Sequence, residues 1–307
     1  MITDAADASE DKRIVMIQFA VKEKLSLEGV SIMKRTDTLI KVVALAASLF
    51  VILFVAAAAT NESPKIDAST PVEKLKALAS QGNADAMLEL GERLIQGQGV
   101  ETNAAEGLQW LHKAAAAGKN QAWYDIGFVY SNGVGVETNM TEAMKYFRKG
   151  AEAGNADCQT SMGMLYQAGE RIPGGVKADP AEAVKWYRLA AEQDHGEAIF
   201  HLAGLYMAGQ GVDADSSEAV KWYRRGAELG NPEAKWVLGQ CYQEGRGVAK
   251  DIVQACALFS AAIDGVDDPA QKQGMTEKRD KLCKELNADQ LKEAERLAEE
   301  WKAKGKK

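Results

Sequence analysis

Residues 120–154 read NQAWYDIGFVYSNGVGVETNMTEAMKYFRKGAEAG, and their pattern recurs along most of the chain. The pattern runs from a small residue through a Gly, a Tyr and a Gly-x-Gly-Val turn to an aromatic pair and a closing Gly. Five such units begin near residues 83, 120, 155, 196 and 231. Regular recurrence at this spacing is the signature of a repeat protein, in which each unit is one supersecondary element.

The first half of each unit predicts an amphipathic helix. In the unit quoted above, Ala122 is followed four and eight residues later by Ile126 and Tyr130, which share its helix face. Gly133 then ends the helix, because Gly adopts the left-handed terminal conformation at little cost. The equivalent small residues are Ala86, Ala122, Cys158, Ala198 and Ala234.

The second half of each unit predicts a second helix that begins with a capping box. Asn139 stands three residues before Glu142, and the same Asn/Asp-x-x-Glu/Gln spacing recurs in all five units. The pair Tyr146-Phe147 follows and supplies bulk for packing. A single helix hairpin cannot bury its apolar side, whereas stacked hairpins can. We therefore predict an all-α fold, a right-handed α-solenoid of helix-hairpin repeats.

The central residue of the first helix recurs every 36 residues, except for a 40-residue step from Gly163 to Ala203. The four additional residues lie in the segment 169–176, where GERIPGGV replaces the short Gly-x-Gly-Val turn. An insertion confined to a turn preserves helix phase and is expected to decorate a loop. After Asp267 the period ends, and two polar helices over about 269–286 and 288–303 are expected to cap the solenoid.

The N-terminal part of the chain predicts export. An uninterrupted apolar run, Val42–Ala59, follows Lys34, Arg35 and Lys41, and the small residues at its end offer cleavage sites. Such a run is either a cleaved signal peptide or a retained transmembrane helix with its N-terminus inside. Because both outcomes export the repeats, we expect a periplasmic protein or one anchored to the inner membrane.

The sequence thus divides into five predicted segments. The first of them is either cytoplasmic or a mis-started stretch, with the true start of translation at Met33. In chain order, the segments are an N-terminal stretch at 1–38, a signal peptide or membrane anchor at 39–59, a linker at 60–70, a half unit plus five repeats at 71–266, and capping helices at 267–307.

The composition of the chain restricts the classes of ligand that it is expected to bind. The net charge of -7 argues against nucleic acid, which attracts basic surfaces. Three His and four Cys residues are scattered without a CxxC motif, so no metal site or cofactor is expected. Cys241 and Cys256 fall on the two helices of one hairpin, where they either form a disulfide or remain independent buried thiols.

The repeated pattern Ala-x-x-x-Leu-Gly-x-x-Tyr-x-x-Gly-x-Gly-Val, with its Asp and Trp-Tyr continuation, resembles the Sel1-like repeat family, relatives of tetratricopeptide repeats. The resemblance covers residues 71–266, with departures at Ala203, Asp194 and Leu258. It implies a non-enzymatic scaffold or adaptor that holds a protein or peptide on a concave surface. For exported bacterial members it also implies roles in signalling or assembly of the cell envelope.

In the related tetratricopeptide geometry the first helices line the concave face. Positions one before, two after and six after the small residue share that face, by their helical spacing. They predict a groove with an aromatic floor and an acidic rim, suited to an apolar peptide carrying Lys or Arg. The alternative is that the rings pack between helices and the acids are merely solvated. The candidate residues are Leu88, Tyr124, Phe128, Met164, Phe200 and Trp236, with Asp85, Asp157, Glu197 and Glu233 at the rim.

The same rings leave a second function open, because Tyr124 and Trp236 could stack on sugars of peptidoglycan or an exopolysaccharide. Catalysis is not expected, since no Ser or Cys has a His at a supporting spacing. The histidines fall on different elements, and three further polar residues of the first helices are expected at the helix surface. These residues are His112, His195 and His201, and Glu89, Asp125 and Ser161.

Overall fold

The computed structural model describes residues 65–304, and all thirteen α-helices of that range belong to hairpins or flank them. The prediction of an all-α fold is confirmed for these residues. None of the helices described there is long and apolar enough to cross a membrane. The predictions for 1–38, including a start at Met33, and for the apolar segment 39–59 lie outside the described residues.

Five consecutive helix hairpins form the body of the structure. A half unit, α1 (Val72–Ser80), precedes them, and two helices follow them. The hairpins are α2 (Ala84–Gln96) with α3 (Ala104–Ala116), α4 (Gln121–Asn132) with α5 (Met140–Glu152), α6 (Ala156–Ala168) with α7 (Pro180–Ala191), α8 (Gly196–Ala208) with α9 (Ser216–Glu228), and α10 (Pro232–Glu244) with α11 (Ile252–Ile263); α12 (Pro269–Cys283) and α13 (Ala288–Ala303) follow.

From α1 to α12 each helix packs on the next one along the chain, so that every second helix also contacts the first helix of the following repeat, while α13 packs on α11. The first helix α6 contacts both α4 and α8 directly. The helices α2, α4, α6, α8 and α10 therefore lie side by side, and their shared outer surface is termed the first-helix face. The insertion in the third repeat forms a 3₁₀ turn, Gly169–Arg171, and leaves the neighbouring helices at full length.

A central glycine brings the two helices of a hairpin into close contact. A Cβ added to Gly163 would lie 2.7 Å from the ring of Tyr187 on the second helix of the same repeat. The corresponding distance from Gly127 to the Phe147 ring would be 2.6 Å. These distances are shorter than van der Waals contact, so the ring occupies the space that a methyl group would need. In the fourth repeat Ala203 takes this position.

The five second helices start with only half of the predicted capping box. The Asn139 side chain accepts the Glu142 N–H at 3.0 Å, and the other four helices have the equivalent bond. The Asn139 N–H, however, donates to the Tyr130 carbonyl at 2.8 Å, which closes the hairpin turn. Glu142 therefore pairs with Lys145 instead, at 2.7 Å. The reciprocal bond was wrongly predicted because the turn already uses the N–H.

A left-handed residue separates successive repeats. Gly82, Gly118, Gly154 and Gly230 have φ between +88° and +96°, and Asp194 takes the same role at φ +62°. Asp is among the residues that tolerate this conformation. The Asp194 carboxylate also accepts a 2.7 Å hydrogen bond from Arg225 Nε, so the substitution adds a bond to the next repeat.

Polar contacts join neighbouring repeats at recurring positions. Arg148 Nη2 on α5 donates to the Tyr166 hydroxyl on α6 at 2.9 Å, and Arg224 on α9 donates to Tyr242 on α10 at 2.6 Å. The equivalent bond from Arg188 to Tyr206 joins α7 to α8. A charged donor strengthens each bond, so these contacts fix the register between repeats as well as adding stability.

The N-terminal end of the repeats is held by one buried arginine. Arg93 is 6% exposed and donates to the Thr70 carbonyl at 2.7 Å, the Asp67 carbonyl at 3.0 Å and Glu89 Oε1 at 2.7 Å. The last part of the predicted linker is thus bound to the first repeat.

The cysteine pairing differs from the one considered above. Cys256 on α11 forms a disulfide with Cys283 at the end of α12, with Cα atoms 5.8 Å apart. Cys241 and Cys158 are buried free thiols. Of the two alternatives left open for Cys241, the structure has the independent buried thiol, and Cys256 pairs with Cys283 instead. The sequence period could not indicate the true partner, because α12 lies beyond the last repeat.

We expect Gly163→Ala to lower the free energy of unfolding by about 1–3 kcal/mol, because the added methyl group must displace the Tyr187 ring. The matched control is Gly274→Ala in α12, where an added Cβ meets nothing within 4 Å. That substitution should be neutral or stabilise by up to about 1 kcal/mol. Urea denaturation followed by circular dichroism measures both. Equal effects would contradict the close-contact role of Gly163.

Candidate functional site

Three of the predicted floor residues are half-buried rings that rest on the second helix of their own repeat. The Tyr124 ring lies 5.9 Å from the Phe147 ring, and Phe200 lies 5.8 Å from Tyr223, measured between ring centroids. Trp236 lies 4.2 Å from Phe259 in the same way. The rings therefore stabilise the hairpins and present only their remaining surface on the first-helix face.

Phe128 is the most exposed large apolar side chain of the described residues, at 46%. Its ring centroid lies 6.3 Å from that of Tyr124, one helical turn away on α4. The pair forms an apolar patch on the first-helix face at the second repeat. Leu88 and Met164, in contrast, pack at the edge of core clusters that contain Ile126 and Ile199 respectively.

Carboxylates from the next two repeats act on the hydroxyl of Tyr124. Burial, followed by the charges of Asp157, Glu197 and Asp125, raises the pKa of Tyr124. Carboxylates of the third and fourth repeats thus influence the Tyr124 hydroxyl of the second repeat through their charge. We term Tyr124, Phe128, Asp157 and Glu197 the aromatic–acidic patch.

The predicted acidic rim is partly used for joining repeats. Asp85 forms an ion pair with Lys119, which immediately precedes the second repeat. Asp157 Oδ1 lies 3.1 Å from His195 Nε2, and His195 caps α8 by accepting the Ala198 N–H. Glu197 keeps a 56% exposed side chain, and the ring of His201, whose neutral form is favoured by burial, lies 3.9 Å away. Glu197 is therefore more available to a partner than the other two acids.

Asp125 is a largely buried carboxyl, although sequence reasoning placed it at the helix surface. Its Oδ2 atom is buried and accepts no hydrogen bond, while Gln121 Nε2 lies 3.5 Å from Oδ1. Burial and the nearby carboxyl of Glu92 raise the pKa of Asp125 to about 7. Burial and the charge of Glu89 likewise raise the pKa of Glu92. The two carboxyls therefore share protons across the boundary between the first and second repeats.

The other two polar residues that were predicted at the helix surface, Ser161 and Glu89, also form hydrogen bonds within the protein. Ser161 is 7% exposed and donates to the Asp157 carbonyl at 2.8 Å. Glu89 accepts from the buried Arg93. No signal in one sequence distinguished these residues from solvated ones, because their burial depends on the neighbouring repeat.

A second feature of the first-helix face lies at its C-terminal end. Phe200, Glu233 and Trp236 line a cleft of about 280 Å³ together with Met275 and Lys278 of α12. We term it the cap cleft. The sequence predicted the three residues from the repeats but missed the two from α12, since that helix has no repeat register.

Within the described residues, neither feature contains a group of side chains that could hold a metal ion. Within residues 65–304 no group of three or more His, Cys, Asp or Glu side chains is arranged to hold a metal ion. His201 stacks on Tyr187 with ring centroids 5.0 Å apart, and burial lowers the pKa of His201. Burial and Lys149 likewise lower the pKa of His112.

The repeats match a family model. The model described as Sel1 repeat matches residues 84–119, 121–155, 156–195, 196–231 and 232–267. The chain belongs to the Sel1 repeat family. Sel1 repeats are typical of non-enzymatic scaffolds for protein–protein interaction, and this agrees with a surface of exposed rings and carboxylates.

Solved Sel1 structures are similar to this chain. A Sel1 repeat protein from Oxalobacter formigenes shares 31% sequence identity over 68% of this chain and 91% of its own, with a TM-score of 0.56. A protective antigen present in uropathogenic Escherichia coli strains shares 26% identity over 76% of this chain and 56% of its own, with a TM-score of 0.48. A search of curated proteins finds no match.

We expect the free energy of unfolding to fall as the pH rises from about 4 to about 7. Unfolded Asp titrates near pH 3.9, so in this window folded Asp125 retains a proton that the unfolded chain has lost. This decrease in the free energy of unfolding should be on the order of 2 kcal/mol, because each pKa unit corresponds to about 1.4 kcal/mol and the pair shares its protons. The variant Asp125→Asn should not show it.

The measurement is urea denaturation of the original protein and the variant at pH 5 and pH 8. Asp213→Asn, in an exposed loop, is the matched control. If the free energy of unfolding changes between pH 5 and pH 8 by the same amount in Asp125→Asn as in the original protein, the buried pair does not cause the change.

Proposed function

We propose that this Sel1 repeat protein is a non-enzymatic scaffold whose first-helix face binds a protein segment with apolar and basic side chains. The observation that carries the proposal is the exposed Phe128 ring beside Tyr124, on a face where the charges of Asp157 and Glu197 raise the pKa of Tyr124. An apolar contact ringed by acids favours a partner that carries Lys or Arg.

Two separate contact points support an extended partner over a small ligand. The aromatic–acidic patch lies on the second to fourth repeats, and the cap cleft lies where the fourth and fifth repeats meet α12. Both belong to the first-helix face. A peptide that contacts both would lie across several repeats, which is how a row of parallel helices offers a long binding surface.

We further propose that the repeats act in the bacterial cell envelope, in signalling or in envelope assembly. The support is the apolar run Val42–Ala59 behind basic residues and the Cys256–Cys283 disulfide. Disulfides persist mainly in oxidising compartments outside the cytoplasm.

Binding of a cell-wall polysaccharide is the second candidate, and the packing of the rings supports it less. Sugars stack on broad open ring faces, but Trp236 is covered by Phe259, and Trp123 lies 6.1 Å from the Tyr146 ring. Pull-down with purified cell-wall sacculi separates the two candidates. Retention that Phe128→Ala does not reduce would favour a sugar site elsewhere on the protein.

The central test uses a short fluorescein-labelled peptide of Lys, Leu and Ser, with fluorescence anisotropy as the readout. We expect binding that weakens with added salt, and a loss of about tenfold in affinity for Phe128→Ala, because the exposed ring is the anchor. The control Leu189→Ala removes an equally exposed apolar side chain, 45% exposed, from the second helix α7. It should bind as the original protein does.

A peptide with Glu in place of Lys should not bind. Equal binding of the two peptides, or an equal loss in Leu189→Ala, would contradict the proposed site. Phe128 suits this test because its exposure makes truncation mild, whereas Trp236→Ala would remove a ring that supports the core.

Export is tested by fusing residues 1–64 to alkaline phosphatase, an enzyme that becomes active only outside the bacterial cytoplasm. We expect activity from the fusion, because the apolar run with its basic flank directs the following chain across the membrane. Replacement of Leu49 and Phe50 by Asp should abolish the activity. An inactive original fusion would contradict the envelope location.

A further inference from the structure

The first cap helix, α12, is weakly seated on the repeats. Among its 15 residues only Leu282 is buried, whereas α11 buries eight of its 12 residues. Its sequence, PAQKQGMTEKRDKLC, is mostly polar. Because most helical stability in proteins comes from a packed apolar face, α12 gains little from its own contacts.

Open space lies between α12 and the last repeat. The cap cleft separates Met275 and Lys278 from Phe200 and Trp236. A second cleft of about 220 Å³ lies further along the same helix, between Lys281 and Leu282 on one side and Trp236 and Phe259 on the other. The side of α12 that faces the first-helix face is thus only partly filled.

The disulfide supplies a covalent attachment that the packing of α12 does not. Cys256 is 1% exposed on α11, and Cys283 is the last residue of α12. The other cap helix, α13, is held separately, since Ala294, Ala298 and Trp301 are buried and Lys302 lies 2.8 Å from the Asp264 carboxylate. Cleavage of the disulfide would therefore release α12 while α13 stays in place.

We propose that the Cys256–Cys283 disulfide is a redox latch that holds α12 over the first-helix face and so controls the cap cleft. The inference rests on the proposed function, because it regulates the same binding surface. A dithiol reductant breaks the sulfur–sulfur bond, gives its two electrons and two protons to the cysteines, and becomes a disulfide itself. Cys283 is partly exposed, which gives the reductant access.

Opening the latch removes one wall of the cap cleft. Met275 and Lys278 leave with α12, and the Trp236 ring becomes more exposed. The aromatic–acidic patch lies on other helices and keeps its structure. The oxidised chain therefore offers two contact points to a partner, and the reduced chain offers one.

The test is hydrogen exchange by mass spectrometry on the full chain, oxidised and after dithiothreitol. We expect exchange in 269–283 to become at least tenfold faster on reduction, with no change in α4 or α8. The double variant Cys256→Ser, Cys283→Ser should behave as the reduced protein in both conditions. Cys241→Ser should keep the response, because that thiol is not part of the latch.

Unchanged protection of 269–283 on reduction would overturn the latch. Loss of protection through all five repeats would also overturn it, since the disulfide would then stabilise the whole chain. So would peptide mapping without reductant that shows no Cys256–Cys283 link.

The anisotropy assay with the Lys, Leu and Ser peptide then connects the latch to binding. We expect affinity to fall about fivefold on reduction. Equal affinity in the two states would overturn control of the site by the latch. Absence of binding in both states would contradict the proposed function, while the exchange data would still test the latch by themselves.

Discussion

The close contact between a small residue on each first helix, a glycine in four of the five repeats, and a bulky side chain on the second helix is the constraint on which the other features depend. It sets how near the helices of a hairpin lie, as at Gly127 with Phe147 and Gly239 with Phe259. The same rings support Tyr124 and Trp236 from below. Packing within the repeat therefore determines which rings reach the first-helix face and how much of each stays exposed.

The proposed recognition depends on the places where repeats differ. Every repeat has the glycine or alanine contact, the caps and the second-helix ring. Only the second repeat places Phe at the position of Phe128, where the first repeat has Glu92, and only the first two repeats place a carboxyl at the position of Asp125, which is Glu89 in the first. Because a uniform stack would present the same surface five times, these departures give the face a local chemistry that a partner can distinguish.

Much of the fold was predictable from the sequence, because periodic positions have periodic environments. Helix starts such as Asn139 and helix ends such as Gly133 follow local rules. The reciprocal capping bond, the Cys256–Cys283 disulfide and the burial of Asp125 were not predictable, since each depends on a group from another element. The candidate site was predicted as one groove, and the structure divides its rings between the aromatic–acidic patch and the cap cleft.

The hydrogen bonds from Arg93 to the Asp67 and Thr70 carbonyls affect how mechanical tension enters the repeats. The guanidinium belongs to α2, whereas the chain that it holds precedes α1. Tension applied through the residues before Asp67 is therefore transmitted to the first hairpin directly as well as through α1. The tension then passes from one hairpin to the next through charge-assisted hydrogen bonds, such as the one from Arg148 to Tyr166. Because these bonds connect successive repeats, the repeats resist tension together.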